Sequence, residues 1–306
     1  MSFPIVLDLF AGCGGLSLGF SRTGFKVYGA DKNPRVAEIF ELNQIGKAVQ
    51  IDLSVEYMNI NCDILIGGPP CRPWSAVNLR KRGKKHPDAG LVDKFITHVL
   101  FLLPRIFILE NVPPARQYIF QMLKNCMIER IYNTDFRVLC YGDWGAPTKR
   151  QRLFVFGVRK DIFWPMDKLF KALFARKKKA MTVRQAFEKI SGLNSDPEHV
   201  FPRPRTIHRY LHYYKTGKYG WYILKWDEPA PSFGNVMKTY ILHPDSFNGG
   251  TTRVISVREA LLVMGFSPEF RFPEGMGLMQ RYQMIADAVS PIFSKELAES
   301  VLEVFF

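Results

Sequence analysis

The apolar run Asp63 to Ile66 meets Gly67-Gly68-Pro69-Pro70-Cys71-Arg72-Pro73-Trp74-Ser75, through which no regular element can continue. A buried strand must end there. Cys71 is thus expected on a stiff turn beyond the carboxyl end of a strand, the edge at which open α/β sheets place their chemistry. A single cysteine is usually a small buried hydrophobe, so its neighbours have to supply the meaning.

Several stretches predict strands that end at the same edge. Ile5 to Phe10 is an apolar strand followed by Ala11-Gly12-Cys13-Gly14-Gly15 and then Leu16 to Phe20, the order of strand, glycine turn and helix that opens a nucleotide-binding unit, with a purely structural turn as the alternative. Gly12-x-Gly14 lacks a third glycine three residues later, which disfavours a dinucleotide and favours a ligand without a pyrophosphate. A second strand, Lys26 to Ala30, ends at Asp31, 19 residues after Gly12, where a carboxylate accepts ribose hydroxyls. Pro34 to Leu42 reads as a helix with Asn33 as its N-cap, and Val49 to Ile51 as a short strand ending at Asp52, which serves either as a cap or as an acceptor for an adenine amino group. Leu91 to Pro104 has helical spacing. Ile106 to Leu109 is the next strand and delivers Glu110-Asn111-Val112, whose carboxyl group would gain proton affinity if desolvated. Gln117 to Asn125 predicts a helix, and Phe136 to Tyr141 and Leu153 to Val158 predict strands. Between those strands Arg150 and Arg152 alternate and could face one side, as a basic edge or as forked donors to a carbonyl or phosphate.

The 306 residues include 42 Lys and Arg against 28 Asp and Glu, a net charge of +14 that favours a polyanionic partner by counterion release. No apolar run approaches the ~20 residues needed to span a bilayer. The N-terminus enters a strand without a basic leader, so a cytoplasmic protein is expected. Five cysteines (13, 62, 71, 126 and 140) without paired spacing predict reduced thiols and no metal site.

The polar segment Ser75 to Gly90, with Arg80-Lys81-Arg82-Gly83-Lys84-Lys85, is either a solvated loop or a lid that closes on phosphates. From Lys160 the alternation of strands and helices is expected to stop. Residues 160–252 carry Arg176-Lys177-Lys178-Lys179, Pro202-Arg203-Pro204-Arg205 and an aromatic-basic cluster from His208 to Trp226 that includes Arg209. Aromatics interleaved with cations suit nucleic acid, and Trp221 and Tyr222 serve equally well as the module's own core. Ser256 with Glu259 predicts a capping box opening a helix to Met264, and Lys295 to Phe305 a closing helix.

Taken together, Asp8-Leu9-Phe10-Ala11-Gly12-Cys13-Gly14-Gly15, Gly68-Pro69-Pro70-Cys71, Glu110-Asn111-Val112 and Gln151-Arg152 closely resemble, in order, the motifs of the cytosine-5 DNA methyltransferases. The similarity resumes at Pro231-Ser232, His243-Pro244, Arg253 to Phe266 and Gln283 to Pro291. The resemblance implies an α/β fold, with a Rossmann-like S-adenosylmethionine-dependent catalytic domain (1–159), a smaller irregular target-recognition domain (160–252) and a C-terminal segment (253–306) returning to the catalytic domain. It implies S-adenosylmethionine as methyl donor, leaving as S-adenosylhomocysteine, held by Phe10, Gly12, Gly14, Asp31, Asp52, Leu53, Pro70 and Asp287. Double-stranded DNA would be the partner of a monomeric modification enzyme, through Ser75, Arg80, Arg82, Lys84, Lys85, Arg203, Arg205 and Arg209. Lys32 stands where the family has an apolar or aromatic residue, and Ala286-Asp287-Ala288 where Gly-Asn-Ala or Gly-Asn-Ser is usual.

In that chemistry Cys71 adds to C6 of a flipped-out cytosine, Glu110 shares a proton with N3, Arg152 holds O2, and Arg150 supports a phosphate or the lid. One branch of the family methylates tRNA with the same residues and typically carries a Cys-Phe-Thr tripeptide in its variable region, which this chain lacks. A silent DNA-binding regulator on the same scaffold is the other alternative. The intact Cys71, Glu110 and Arg152 count against it.

Overall fold

The computed structural model describes residues 3–70, 87–162, 166–188, 190, 195–204 and 206–306. The chain divides into two compact units, one of residues 1–139, 151–176 and 294–306, the other of 140–150 and 177–293. These divisions fall elsewhere than the functional boundaries expected after residues 159 and 252.

The first unit is built on a seven-stranded sheet of order β3-β2-β1-β4-β5-β7-β6. Its strands are β1 (Ile5–Leu9), β2 (Lys26–Asp31), β3 (Lys47–Gln50), β4 (Ile64–Gly67), β5 (Ile106–Asn111), β6 (Tyr132–Cys140) and β7 (Gln151–Arg159). β3, β2, β1, β4 and β5 pair in parallel. β7 pairs with β5 antiparallel, Glu110 opposite Phe154 and Asn111 opposite Leu153. Strand order reverses between β1 and β4, where such sheets open a crevice at their carboxyl ends. The central strands are apolar because both faces are covered. Leu7, Leu9, Leu65, Phe107 and Leu109 share one core with Val92, Phe95 and Val99 of helix α3 (Leu91–Leu102) and Ile119 and Leu123 of α4 (Arg116–Asn125).

Helix α1 (Gly15–Arg22) follows β1 directly, as its glycines predict. An added Cβ at Gly19 would collide with the Ser294 backbone, so this glycine lets α10 (Pro291–Phe305) approach α1 closely, and Ser294 Oγ donates to Leu16 O. Arg176 ties the same helix down through Glu299 (2.5 Å) and Glu303 (2.8 Å).

Some expected boundaries move. Helix α2 (Val36–Leu42) starts after Arg35, and Asn33 does not cap it, because its Oδ1 accepts the Arg35 N–H (2.9 Å) in the turn before the helix. The third strand ends at Gln50, leaving Asp52 beyond it, and β6 begins four residues earlier than expected. Among the described residues no strand element follows β7, so the alternation of strands and helices ends near Lys160 as expected, although helices continue. Helix α5 (Met166–Ala175) buries Leu169, Phe170 and Leu173 in the first unit, a helical spacing concealed by the charges around it.

In the second unit α6 (Val183–Phe187) and α8 (Val257–Met264) both open with capping boxes, Thr182 with Gln185 and Ser256 with Glu259, the latter as expected. Gly265 ends α8 in the left-handed conformation. Helices α7 (Leu211–Thr216) and α9 (Leu278–Asp287) complete the unit's helices among the described residues. Trp221 is 9% exposed, with the rings of Tyr210, Tyr213, Tyr214 and Tyr240 at 4.4, 5.4, 5.7 and 5.7 Å. The choice left open for Trp221 resolves in favour of core. Trp221→Ala should cost about 3–5 kcal/mol in denaturant unfolding, and Tyr219→Ala, at an exposed position, less than about 0.5 kcal/mol; equal costs would contradict this assignment.

Candidate active site

The carboxyl edge of the sheet gathers the described candidate residues of the first unit. Leaving β1, Phe10 (φ 62), Gly12 (φ 55) and Gly14 (φ 78) take left-handed conformations that turn the chain sharply into α1. Glycine adopts these without strain, whereas an aromatic residue does not. The two glycines serve different ends. A Cβ on Gly14 would strike Ile45 Cδ1 at 2.5 Å, while one on Gly12 would meet nothing within 4 Å and would stand in open space.

Asp31, at the end of β2, fastens this turn. Its Oδ2 accepts the Gly12 N–H (2.9 Å) and its Oδ1 the Asn33 N–H (2.8 Å). A carboxylate has about four acceptor sites, so both oxygens retain capacity for hydroxyl donors. Asp52 is exposed, and hydrogen bonds from Ser54 hold its carboxyl below the usual carboxylate range, helped by the nearby Lys32 charge. Leu53 beside it is buried.

The opposite side of the edge pairs acid with base. Glu110 and Arg152 reach the same face because Phe154, opposite Glu110, lies two residues from Arg152 along an alternating strand. Arg152 Nε stands 3.0 Å from Glu110 Oε1, and both side chains are largely buried. An added Cβ on Gly68 would come within 3.0 Å of Glu110 Oε2, so the turn after β4 passes directly over this carboxylate. Asn111, fully buried, holds that turn by donating from Nδ2 to Pro69 O (3.1 Å) while Oδ1 accepts the Val112 N–H (2.9 Å). Pro70 follows, and Cys71 is next in sequence.

Two contributors carry no role in the sequence reading. Asn111 was visible only as part of a motif. Asp8 is a carboxylate in the middle of an apolar strand, a signal in itself, and it accepts from Ser17 Oγ at 2.6 Å beneath the glycine turn. Burial pushes the Asp8 carboxyl up to about 7, against the lowering effect of the Ser17 bond and with a smaller push from Asp31.

Other candidates are placed differently. Arg150 precedes β7, belongs to the second unit and is buried there, where it donates to Phe233 O (3.3 Å) and Ala286 O. Asp287, also in the second unit, ends α9, with Gln283 Nε2 donating to it at 2.9 Å. Arg203 and Arg209 are exposed there. Cys71, Ser75, Arg80, Arg82, Lys84, Lys85 and Arg205 lie outside the described residues, as does most of the segment from Ser75 to Gly90. Of Arg176-Lys177-Lys178-Lys179, Arg176 is engaged with acidic residues of α10 and Lys177 with Asp143 at 3.0 Å. Among the described residues no group of three or more His, Cys, Asp or Glu is placed to hold a metal ion, and no helix is long and apolar enough to cross a membrane.

The family pattern described as C-5 cytosine-specific DNA methylase matches residues 5–303. The chain is similar to the type II methyltransferase M.HgiDI of Herpetosiphon aurantiacus, 30% identical over 312 residues that cover 96% of this chain and 93% of the relative. It is 28% identical to the type II methyltransferase M.MthTI of Methanothermobacter thermautotrophicus, over 97% of this chain and 96% of that one. Among solved structures, the S. pombe Dnmt2 methyltransferase superposes with a TM-score of 0.72 at 17% identity, covering 99% of this chain and all of that one, which bears on the fold alone.

The Asp8 carboxyl yields a test. Its proton is held more tightly in the folded than in the unfolded chain, so the native state binds more protons across the interval from the ordinary carboxylate value up to about 7. Stability therefore falls as pH rises through that interval, by up to about 4 kcal/mol. Asp8→Asn, which never ionises, should match the parent near pH ~4 and exceed its unfolding free energy near pH ~8. A constant difference between the two proteins at both pH values would refute the buried, proton-holding carboxyl.

Proposed function

The chain belongs to the C-5 cytosine-specific DNA methylases, and from that premise we propose that it transfers a methyl group from S-adenosylmethionine to C5 of a cytosine turned out of double-stranded DNA, through a transient Cys71–C6 adduct. The observation that carries this reading is the Glu110–Arg152 pair at the carboxyl edge, with Asn111 anchoring the Pro69-Pro70 turn that leads into Cys71.

Cytosine C5 is too weak a nucleophile to take a methyl group unaided. In this reading the Cys71 thiolate forms a bond to C6, and the electron pair of the C5–C6 double bond moves into the ring, leaving C5 electron-rich. Glu110 shares its proton with N3 and holds the exocyclic amine, while Arg152 donates to O2, so charge that develops on the ring meets groups already in place. The pairing of the two side chains keeps both oriented toward one face. After methylation, a base, most simply water, removes the C5 proton and Cys71 leaves as thiolate. A stacked base is out of reach of these groups, so the cytosine must leave the helix, at a cost of roughly a few kcal/mol.

The residues at the β1–β2 edge fit the cofactor. Open space over Gly12 admits a ligand against the backbone, Asp31 keeps acceptor capacity for ribose hydroxyls, and the exposed Asp52 carboxylate offers an acceptor for an adenine amino group beside buried Leu53. Phe10, Gly14 and Pro70 border the same edge. Bound there, S-adenosylmethionine supplies an electrophilic methyl on sulfonium. The second unit, which holds residues 177–252 of the expected recognition module, is assigned to reading DNA, and similarity to type II methyltransferases supports a role in DNA modification.

Two outcomes are expected. Cys71→Ser should abolish methyl transfer, since a hydroxyl ionises far less than a thiol of pKa ~8.5, and the parent should form a denaturation-resistant complex with duplex DNA carrying 5-fluorocytosine at the target. Bisulfite sequencing of DNA from expressing cells identifies the methylated site; transfer to tRNA with none to duplex DNA would overturn the reading. Asp31→Ala should weaken S-adenosylmethionine binding by about 1–3 kcal/mol, measured by calorimetry, and unchanged affinity would remove Asp31 from the cofactor site.

A further inference from the structure

The aromatic residues around Trp221 are largely spent on one another: Tyr214 Oη also donates to Tyr240 O at 2.8 Å, and Lys218 Nζ caps the Tyr213 ring at 3.7 Å. Residues that satisfy each other in this way are poor candidates for entering DNA. Phe247 presents the opposite case. It is 40% exposed and sits at φ 65, where a bulky side chain is an outlier. Its ring neighbour is the exposed His208, 6.0 Å away and edge-on.

The loop that carries it is braced at its base. Trp226 Nε1 donates to Asp245 Oδ1 at 2.7 Å, and buried Ser246 accepts the Arg253 N–H (3.3 Å) while its hydroxyl donates to Arg253 O (3.2 Å). The Phe247 N–H donates to Thr252 Oγ1 at 3.2 Å, which holds the strained residue in place. Beyond it Asn248, Gly249, Gly250 and Thr251 are all exposed, Gly249 at φ 81 with open space where a side chain would be. A strained backbone costs free energy, and so does the part of the apolar ring that stands in water. Such a combination persists where the surrounding structure enforces it, and it points toward a role in contact with something else.

Resting on the reading that the second unit handles DNA, we propose that Phe247 is an apolar wedge which inserts into a base-pair step of the bound duplex. Unstacking a step costs a few kcal/mol, and proteins that bend or open DNA meet that cost with apolar side chains driven between bases. A ring fixed in advance on a braced loop loses little conformational freedom on insertion. The exposed Arg209, next to His208 in the turn Ile207–Tyr210, places a cation on the same element that flanks the ring, suited to a backbone phosphate.

The test uses the full-length protein and its own recognition duplex, mapped by bisulfite sequencing, with 2-aminopurine placed in turn at each position. The parent should brighten the probe at one step. Phe247→Ala should abolish that signal and lower kcat/KM by about ten- to a hundredfold, and a mismatch introduced at that step should restore the variant toward the parent, because the step is then already loosened. Phe247→Leu should keep most of the signal. Phe247→Gly should keep or raise Tm, since glycine takes this φ freely, while losing the signal, which separates wedge from fold. The proposal is overturned if Phe247→Ala leaves the signal intact, if the mismatch fails to rescue it, or if the variant only relaxes preference at one A·T pair, as a thymine-methyl contact would. A parent that methylates no duplex DNA defeats the underlying reading instead, and a parent that methylates normally beside an indistinguishable Phe247→Ala defeats the wedge alone.

Discussion

The reversed direction of β7 is the constraint on which the rest of the carboxyl edge depends. Because β7 runs antiparallel to β5, its first residues arrive where β5 ends, and Arg152 meets Glu110 at 3.0 Å although 42 positions separate them in the chain. In a parallel arrangement Arg152 would enter at the far edge and Glu110 would be a buried carboxylate without its cation. Removing one partner from such a buried pair typically costs about 3–5 kcal/mol, so the pair also helps to define the strand order that creates it.

A second fastening does comparable work on the other side of the switch point. Asp31 accepts backbone N–H groups from both its own turn and the Gly12 turn, so the ends of β1 and β2 are locked together by a side chain that still has acceptor capacity. Below them Asp8 and Ser17 link β1 to α1. Asp31 sits where the backbone bends away from regular structure and satisfies N–H groups that the ladder leaves unpaired, whereas Asp8 lies within β1 and is satisfied by a hydroxyl.

Charge is apportioned less simply than its total suggests. The net charge of +14 favours an anionic partner, yet Arg176 and Lys177, from the densest basic run, hold acidic residues of their own units at 2.5 Å and 3.0 Å. Arg150, which looked like a forked donor at the site, spends its guanidinium on backbone carbonyls in the second unit. Exposed Arg203 and Arg209 remain suited to phosphates. Composition thus measures how much charge a chain carries, while the distance to the nearest carboxylate or carbonyl decides which part of it is available.

Short apolar runs closed by glycine, proline or a carboxylate were enough to locate β1, β2, β4 and β5 and the residues at their ends, since a covered parallel strand must be apolar and must stop where the turn chemistry begins. The capping box at Ser256 and Glu259 was equally legible, because both partners lie within one helical turn. The start of α2 and the helix α5 were missed, the first because Asn33 can serve a turn as well as a cap, the second because flanking charges obscured its apolar face. Tertiary structure alone decided the direction of β7, the separate fates of Arg150 and Arg152, the choice of core for Trp221 and the exposure of Phe247. Each depends on which distant segment lies alongside, and local sequence carries the chemistry of a side chain without carrying the identity of its neighbour.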